Sequence, residues 1–272
     1  MTEPPAKMQS IGSSARGSAP LISVRHLRMG YGARVLLNDA SFDVHRGQIV
    51  VILGGSGSGK SSLMKNLIGL YRPMAGDILI QGESLVTGDA NAKARLQRRL
   101  GIMYQSGALF GSLTVLENVR FPLDQFTTLR RENKNLIARM LLQTVEMRHA
   151  ESYMPSELSG GMLKRAGIAR AMALGSDILL LDEPSAGLDP ITAANLDQTI
   201  LTLRQTLGIT FVVVTHELQS IFAIADRAIM LDATTRAIIA DGDPMKLRDL
   251  STDARVRQFF NRDPDRPRAR VS

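Results

Sequence analysis

Two short stretches of this 272-residue sequence carry residue types that can hold and break a phosphate chain. The first is GGSGSGKS, residues 54–61, with the spacing G-x-x-x-x-G-K-S between an apolar run, QIVVILG, and a helical pattern, KSSLMKNLIGL. Gly54, Gly55, Gly57 and Gly59, with the small Ser56 and Ser58, let backbone N–H groups wrap a phosphate chain. The helix start adds its partial positive charge. Lys60 is expected to reach the β- and γ-phosphates and the Ser61 hydroxyl to ligate Mg²⁺, with Ser62 following in the same turn. The second stretch is ILLLDEP, residues 178–184, an apolar strand ending in two acids. Asp182 is expected at the carboxyl edge of the sheet, holding Mg²⁺ through water as the partner of Ser61. Glu183 points elsewhere and is placed to polarise an attacking water. His216, at the end of ITFVVVTHE, belongs to the same edge, where its imidazole can meet the γ-phosphate and hold Glu183 and water. Gln105, after LGIMY, offers an amide oxygen to Mg²⁺ or to water. Tyr31, in MGYG, either stacks on an adenine ring or packs in a hairpin.

A further stretch, PSELSGGMLKRAGIARAMAL, holds no residue that reacts. Ser159, Gly160 and Gly161 stand before a helical pattern, which brings a hydroxyl, bare N–H groups and a positive helix end together. That is a second anion site, and one nucleotide does not need two cradles far apart in sequence. Two copies of the chain arranged head to tail reconcile them, each helix end capping the phosphate held by the other copy.

The elements that position these residues alternate. Residues 21–54 read as several short strands. Strands are also expected at GDILIQG, LGIMYQ, DILLLDEP, ITFVVVTHE, RAIMLD and RAIIADG. Helical periodicity fills about 113–174, ITAANLDQTILTLRQTL and LQSIFAIADR. Strands alternating with helices imply a parallel, doubly wound sheet, with a helical insert between LGIMYQ and DILLLDEP. In DARVRQFF, Val256, Phe259 and Phe260 share one face of a turn, and docking on a second copy or another subunit is the expectation for that face.

Bulk properties narrow the classes. No run of 18 apolar residues appears, and the Pro/Ser/Gly-rich start, residues 1–20, reads as a disordered tail without a secretory pattern. The absence of cysteine excludes disulfides and thiolate metal sites. The formal charge is +7, but the segment from Arg255 to Ser272 holds six arginines against two aspartates and supplies four of those charges. The remainder is near neutral, and 4% aromatic residues give little platform for base stacking, so nucleic acid is not expected as a partner.

In their order, GGSGSGKS, Gln105, LSGG, ILLLDEP, SAGLD and VVVTHE resemble the nucleotide-binding domain of ABC ATPases. The resemblance covers about residues 21–250 and implies an α/β fold of P-loop NTPase type. An N-terminal antiparallel β subdomain and a helical insert at about 106–174 complete that fold, and residues 251–272 form a C-terminal extension. By position, Gly54 to Ser62 correspond to Walker A, and Asp182 and Glu183 to Walker B and the catalytic base. Ser159 to Gly161 correspond to the signature read in trans, Asp189 to the interface loop, His216 to the switch histidine and Tyr31 to the adenine-stacking aromatic. Met162 stands where the family usually has glutamine. The alternative, a non-transport ABC ATPase of DNA repair or the ribosome, resembles fused cassettes or a cassette split by a coiled coil. This chain shows neither. QSGALFGSLTVLENV, PSELSGGMLKRAGIARA, DPITA and DARVRQFF are similar to the ATPase of Mla/Mce-type lipid transport systems. That likeness implies ATP and Mg²⁺ as cofactors, a multispanning permease, an Mce-type substrate-binding protein and a small regulatory subunit. It also implies a peripheral place on the cytoplasmic face of the inner membrane.

Overall fold

The computed structural model describes residues 19–262. The N-terminal tail up to residue 18 and the Pro/Arg run from Asp263 lie outside the described residues.

Three apolar runs make the centre of the molecule. β3 (Ile49–Gly54), β7 (Ile178–Asp182) and β8 (Thr210–Val214) are buried almost throughout. Strands covered on both faces read this way because neither face can be polar. Successive side chains go to opposite faces. Ile49, Val51, Leu53, Leu179, Leu181, Phe211 and Val213 join one core cluster. Val50, Ile52, Ile178, Leu180, Val212 and Val214 join the other. With β6 (Leu100–Met103), β9 (Arg227–Asp232) and β10 (Ala237–Gly242) they form a six-stranded sheet in the order β10-β9-β3-β8-β7-β6. It is parallel except for the antiparallel edge strand β10. The register pairs Ile52 with Val214 and Asp182 with Val214, so β3, β7 and β8 end at one edge.

A second, antiparallel sheet has the order β2-β1-β4-β5, from β1 (Ile22–Tyr31), β2 (Arg34–Val44), β4 (Ala75–Ile80) and β5 (Glu83–Ser84). The first two are single long strands broken by register shifts, not the several short strands expected from the turn-like residues between them. This sheet and α1 (Lys60–Leu67) enclose the second core cluster. A short helix, α2 (Ala90–Gln97), capped by Asp89, was not legible in the sequence.

Between β6 and β7 the chain forms α3 (Val115–Phe126), α4 (Arg131–Thr144) and α5 (Gly160–Ala171). Thr114 and Glu117 make a capping box at the start of α3. Behind it the fully buried Asn118 amide bonds to the backbone of Phe110, Leu113 and Thr114, fixing the loop that leads from Gln105. α6 (Pro190–Leu207) and α7 (Leu218–Ile224) cover the remaining helical face.

The C-terminal helices α8 (Pro244–Leu250) and α9 (Ala254–Asn261) correct an expectation. Val256 and Phe260 are buried within the chain's own first core cluster, with Phe259 packed against it and Phe222 5.7 Å from Phe260 between ring centroids. An apolar turn placed next to α7 minimises its exposed area at home, so this face is not free for another subunit. No described helix is long and apolar enough to cross a membrane.

Candidate nucleotide site

The loop between β3 and α1 takes the shape its glycines permit. Gly54 has φ 147°, and a Cβ there would lie 2.3 Å from the Leu231 carbonyl oxygen. Gly59, φ 97°, precedes α1 in left-handed conformation. Around Gly55 and Gly57 an added Cβ would meet nothing, so the loop backbone is open to an approaching group. Lys60 folds back over this loop and donates to the carbonyls of Gly54 (2.8 Å) and Gly55 (3.1 Å). Burial lowers its pKa, against the opposing pull of Glu183 and Asp182. Tyr31 shares the rim of the same pocket with Gly57, Gly59, Lys60, Ser61 and Ser62. Its hydroxyl lies 2.9 Å from the Ser62 hydroxyl and its ring meets Tyr71 edge-on, leaving it half-exposed.

A groove on the other side of Ser61 collects Ser61, Gln105, Asp182 and Gly160. Asp182 ends β7, and its Oδ1 is buried without a hydrogen-bond partner. Burial raises its pKa and the neighbouring Glu183 adds to this, while Lys65, Lys60 and Lys164 act the other way. A hydroxyl, an amide oxygen and an unbonded carboxylate oxygen are the hard donors that suit Mg²⁺.

Glu183 turns away from Asp182 because its backbone sits at φ 49°, a left-handed conformation unfavourable to a non-glycine residue. Its N–H bonds the Val214 carbonyl at 2.8 Å, anchoring it to the end of β8. His216 lies two residues beyond β8, which ends at Val214 rather than running through the histidine. Its Nδ1 is 2.9 Å from Glu183 Oε1, with the imidazole exposed and the carboxylate largely covered.

The structure places the sequence-expected helix N-termini as follows. Ser159 caps α5 by accepting from the Met162 N–H at 3.3 Å, and Gly160 is exposed beside it. Gly161 has a different reason for being glycine from the open backbone expected. It is buried, and a Cβ would come within 2.4 Å of Thr192 Cγ2. Asp189 caps α6, accepting from the N–H groups of Ile191 and Thr192 and from the Thr192 hydroxyl, and these bonds lower its pKa.

One residue was missed. Lys164 is 5% exposed, and its ammonium donates to the carbonyl oxygens of Gln105 and Glu183. It ties α5 to both loops. The available signal was a lysine at a core position of the helix, in line with Gly161 and Ile168.

The family model for ABC transporters matches residues 37–186. Over 249 residues the chain is 38% identical to the intermembrane phospholipid transport system ATP-binding protein MlaF of Escherichia coli K12, covering 92% of this chain and 91% of that one. Its likeness to the probable ribonucleotide transport ATP-binding protein mkl of Mycobacterium leprae is 36%, over 93% of this chain and 73% of the other. Among solved structures, the dimeric post-hydrolysis state of the ATP-binding cassette MJ0796 bound to ADP and Pi matches with TM-score 0.73 and 27% identity. It covers 82% of this chain and 98% of that one. The cbiO1 subunit from Clostridium perfringens matches with TM-score 0.78 and 26% identity, over 84% and 90%. The chain belongs to the ABC transporter family. It is an ATP-binding, ATP-hydrolysing cassette of that family.

Proposed function

We propose that this cassette energises phospholipid transport through a separate membrane permease, working as a head-to-tail pair of copies. The single observation that carries the chemistry is the contact of His216 with Glu183 at the sheet edge that also bears Lys60 and Asp182. In this reading residues 21–250 form the cassette, with its helical insert at about 106–174 and an extension at 251–272. Gly54 to Ser62 wrap the phosphates, Lys60 leaves the loop carbonyls for the β- and γ-phosphates, and Tyr31 stacks on the adenine. Ser61, Asp182 and Gln105 would hold Mg²⁺, which when bound would neutralise charge developing on the phosphates. Glu183 accepts the proton of the attacking water, and His216 orients that carboxylate. Ser159 and the N–H group of the exposed Gly160 cap the nucleotide of the other copy, Gly161 lets α5 pack closely on Thr192, and Asp189 lies at the junction of the two. Hydrolysis then reopens the pair, and the loop from Gln105 to Val119 passes the motion to the permease.

The lipid cargo is supported by the near full-length likeness to MlaF. The same likeness supports an Mce-type substrate-binding protein and a small regulatory subunit as partners, and a peripheral position on the inner membrane. Glu183→Gln tests the chemistry. ATP binding is expected to persist while turnover falls by roughly 10²-fold or more, with closed dimers accumulating in light scattering. Hydrolysis at the wild-type rate would overturn the base assignment. For the cargo, the chain and its co-purifying permease are reconstituted in vesicles with fluorescent phospholipid or labelled ribonucleotide. ATP-dependent movement of the ribonucleotide alone would refute the lipid reading.

A further inference from the structure

Behind the catalytic loops lies a cavity of 410 Å³ that the hydrolysis site does not use. It opens between α6 and α7, and a volume of this order accepts a small organic molecule. Its walls are the backs of the loops already described. Ser185 lies two residues after Glu183, Leu188 directly precedes Asp189, and Glu217 directly follows His216. It shares no residue with the pocket at Tyr31 and Lys60, and only Leu188 with the groove at Ser61, Gln105 and Asp182.

The polar side chains lining it are the carboxylates of Asp197 and Glu217, the hydroxyls of Ser185 and Ser220, the amides of Gln198 and Gln219, and one guanidinium, that of Arg262. Asp197 of α6 is 6% exposed and has no cationic partner among the described residues, while the Ser220 hydroxyl lies beside it. Burial pushes its carboxyl up to about 6, with Ser220 opposing and the charge of Glu217 adding to the rise. These surroundings disfavour a lone charge on Asp197, and a cation brought beside it would relieve that cost. Glu217, at the mouth, is already paired with a guanidinium, that of Arg262 at 3.2 Å. Ser185 is 7% exposed, and its hydroxyl has no hydrogen-bond partner. Between these groups Leu188, Leu201 and Ala193 offer apolar wall. A buried carboxylate without a cationic partner, in a cavity whose wall also carries aliphatic side chains and an unbonded hydroxyl, complements a cation on an aliphatic stem.

We propose that this cavity binds a guanidinium or ammonium group carried on a short aliphatic stem, and that its occupancy sets the turnover rate by fixing the loops of Glu183 and His216. The binding half is independent of the transport reading. The rate half rests on the assignment of those two residues to hydrolysis. The cation can come from a free small molecule or from an arginine of the chain's own residues 263–272, which follow Arg262 in sequence.

Agmatine, which carries both cations on a four-carbon stem, is the probe. It is titrated calorimetrically into the full chain and into a chain ending at Arg262, with guanidinium chloride at matched ionic strength as control. Saturable binding is expected, weakened about tenfold or more by Asp197→Asn, as for loss of a charged hydrogen bond, and by Ala194→Leu, which narrows the exposed rim. Binding that emerges only in the shortened chain supports the site and identifies the chain's own arginines as its occupant. Equal affinity in wild type and both variants, or no binding to either length of chain, would overturn the proposal. The rate half is read as ATP turnover at saturating ATP with and without agmatine, in the form of the chain that binds it. A changed kcat with unchanged ATP affinity is expected. An unchanged kcat at saturating agmatine removes the coupling while leaving the binding result standing.

Discussion

At the scale of single residues, catalytic geometry here depends on backbone carbonyls as much as on side chains. Lys164 holds the carbonyls of Gln105 and Glu183, so one ammonium positions both the amide expected at the metal and the carboxylate expected at the water. Replacing it with Met keeps the length and removes the donor. Turnover is expected to fall by about 10- to 100-fold, the range for a lost charged hydrogen bond, with KM for ATP nearly unchanged. Lys164→Arg is expected to restore much of the loss. Steady-state ATPase assays on both variants decide it, and equal loss in both would reduce Lys164 to a packing residue. Sequence reading reached Lys60, Asp182, Glu183 and His216 because their types and spacing are chemical. It passed over Lys164 because its partners are main-chain oxygens, which leave no mark in side-chain identity.

At the scale of elements, the meeting of α5 with the start of α6 turns on the contact of Gly161 with Thr192. Gly161→Ala would press a methyl against Thr192 Cγ2 and push the two helix starts apart. We expect ATP binding to persist and hydrolysis to drop. Thr192→Ser removes that Cγ2 while keeping the hydroxyl on Asp189, so the double variant is expected to recover activity. A double variant no better than Gly161→Ala would show that the defect arises elsewhere. The glycine pair was visible in the sequence, but not the reason for its second member, because close helix approach is set by three-dimensional packing. Apolar runs such as ILLLD and TFVVV announced the central strands, since double-sided burial imposes its own composition. The helices α2 and α8 were silent, being short and bordered by polar residues, with little periodicity to detect.

At the scale of the whole molecule, two expectations concern the pair and the end of the chain. Ser159→Arg chains and Lys60→Ala chains are each expected to be inactive. When mixed, they form heterodimers with both lesions in one composite site and none in the other. Recovered ATPase activity supports sharing in trans. Its absence, where mass spectrometry shows the mixed dimer, would argue for sites that are complete within one chain or that fire only together. Helix α9 is part of the core. Deleting residues 252–272 strips Val256 and Phe260 from the first cluster, so the melting temperature is expected to fall. Phe260→Ala alone is expected to cost about 3–5 kcal/mol in denaturant unfolding. An unchanged melting temperature would return α9 to the role of a detachable docking segment.

The place of β3 in the sheet has a consequence for biosynthesis. Its two neighbours, β8 and β9, are made more than 150 residues later, as the pairings of Ile49 with Phe211 and Gly54 with Leu231 record. A nascent chain that has already emerged past Ser62 therefore has the whole phosphate-binding sequence but no strands to hold it. Long-range pairing of this kind is slow and comes last. On the ribosome the cassette is expected to acquire nucleotide only as its final strands appear, so stalled or truncated chains do not sequester ATP or pair prematurely with finished copies.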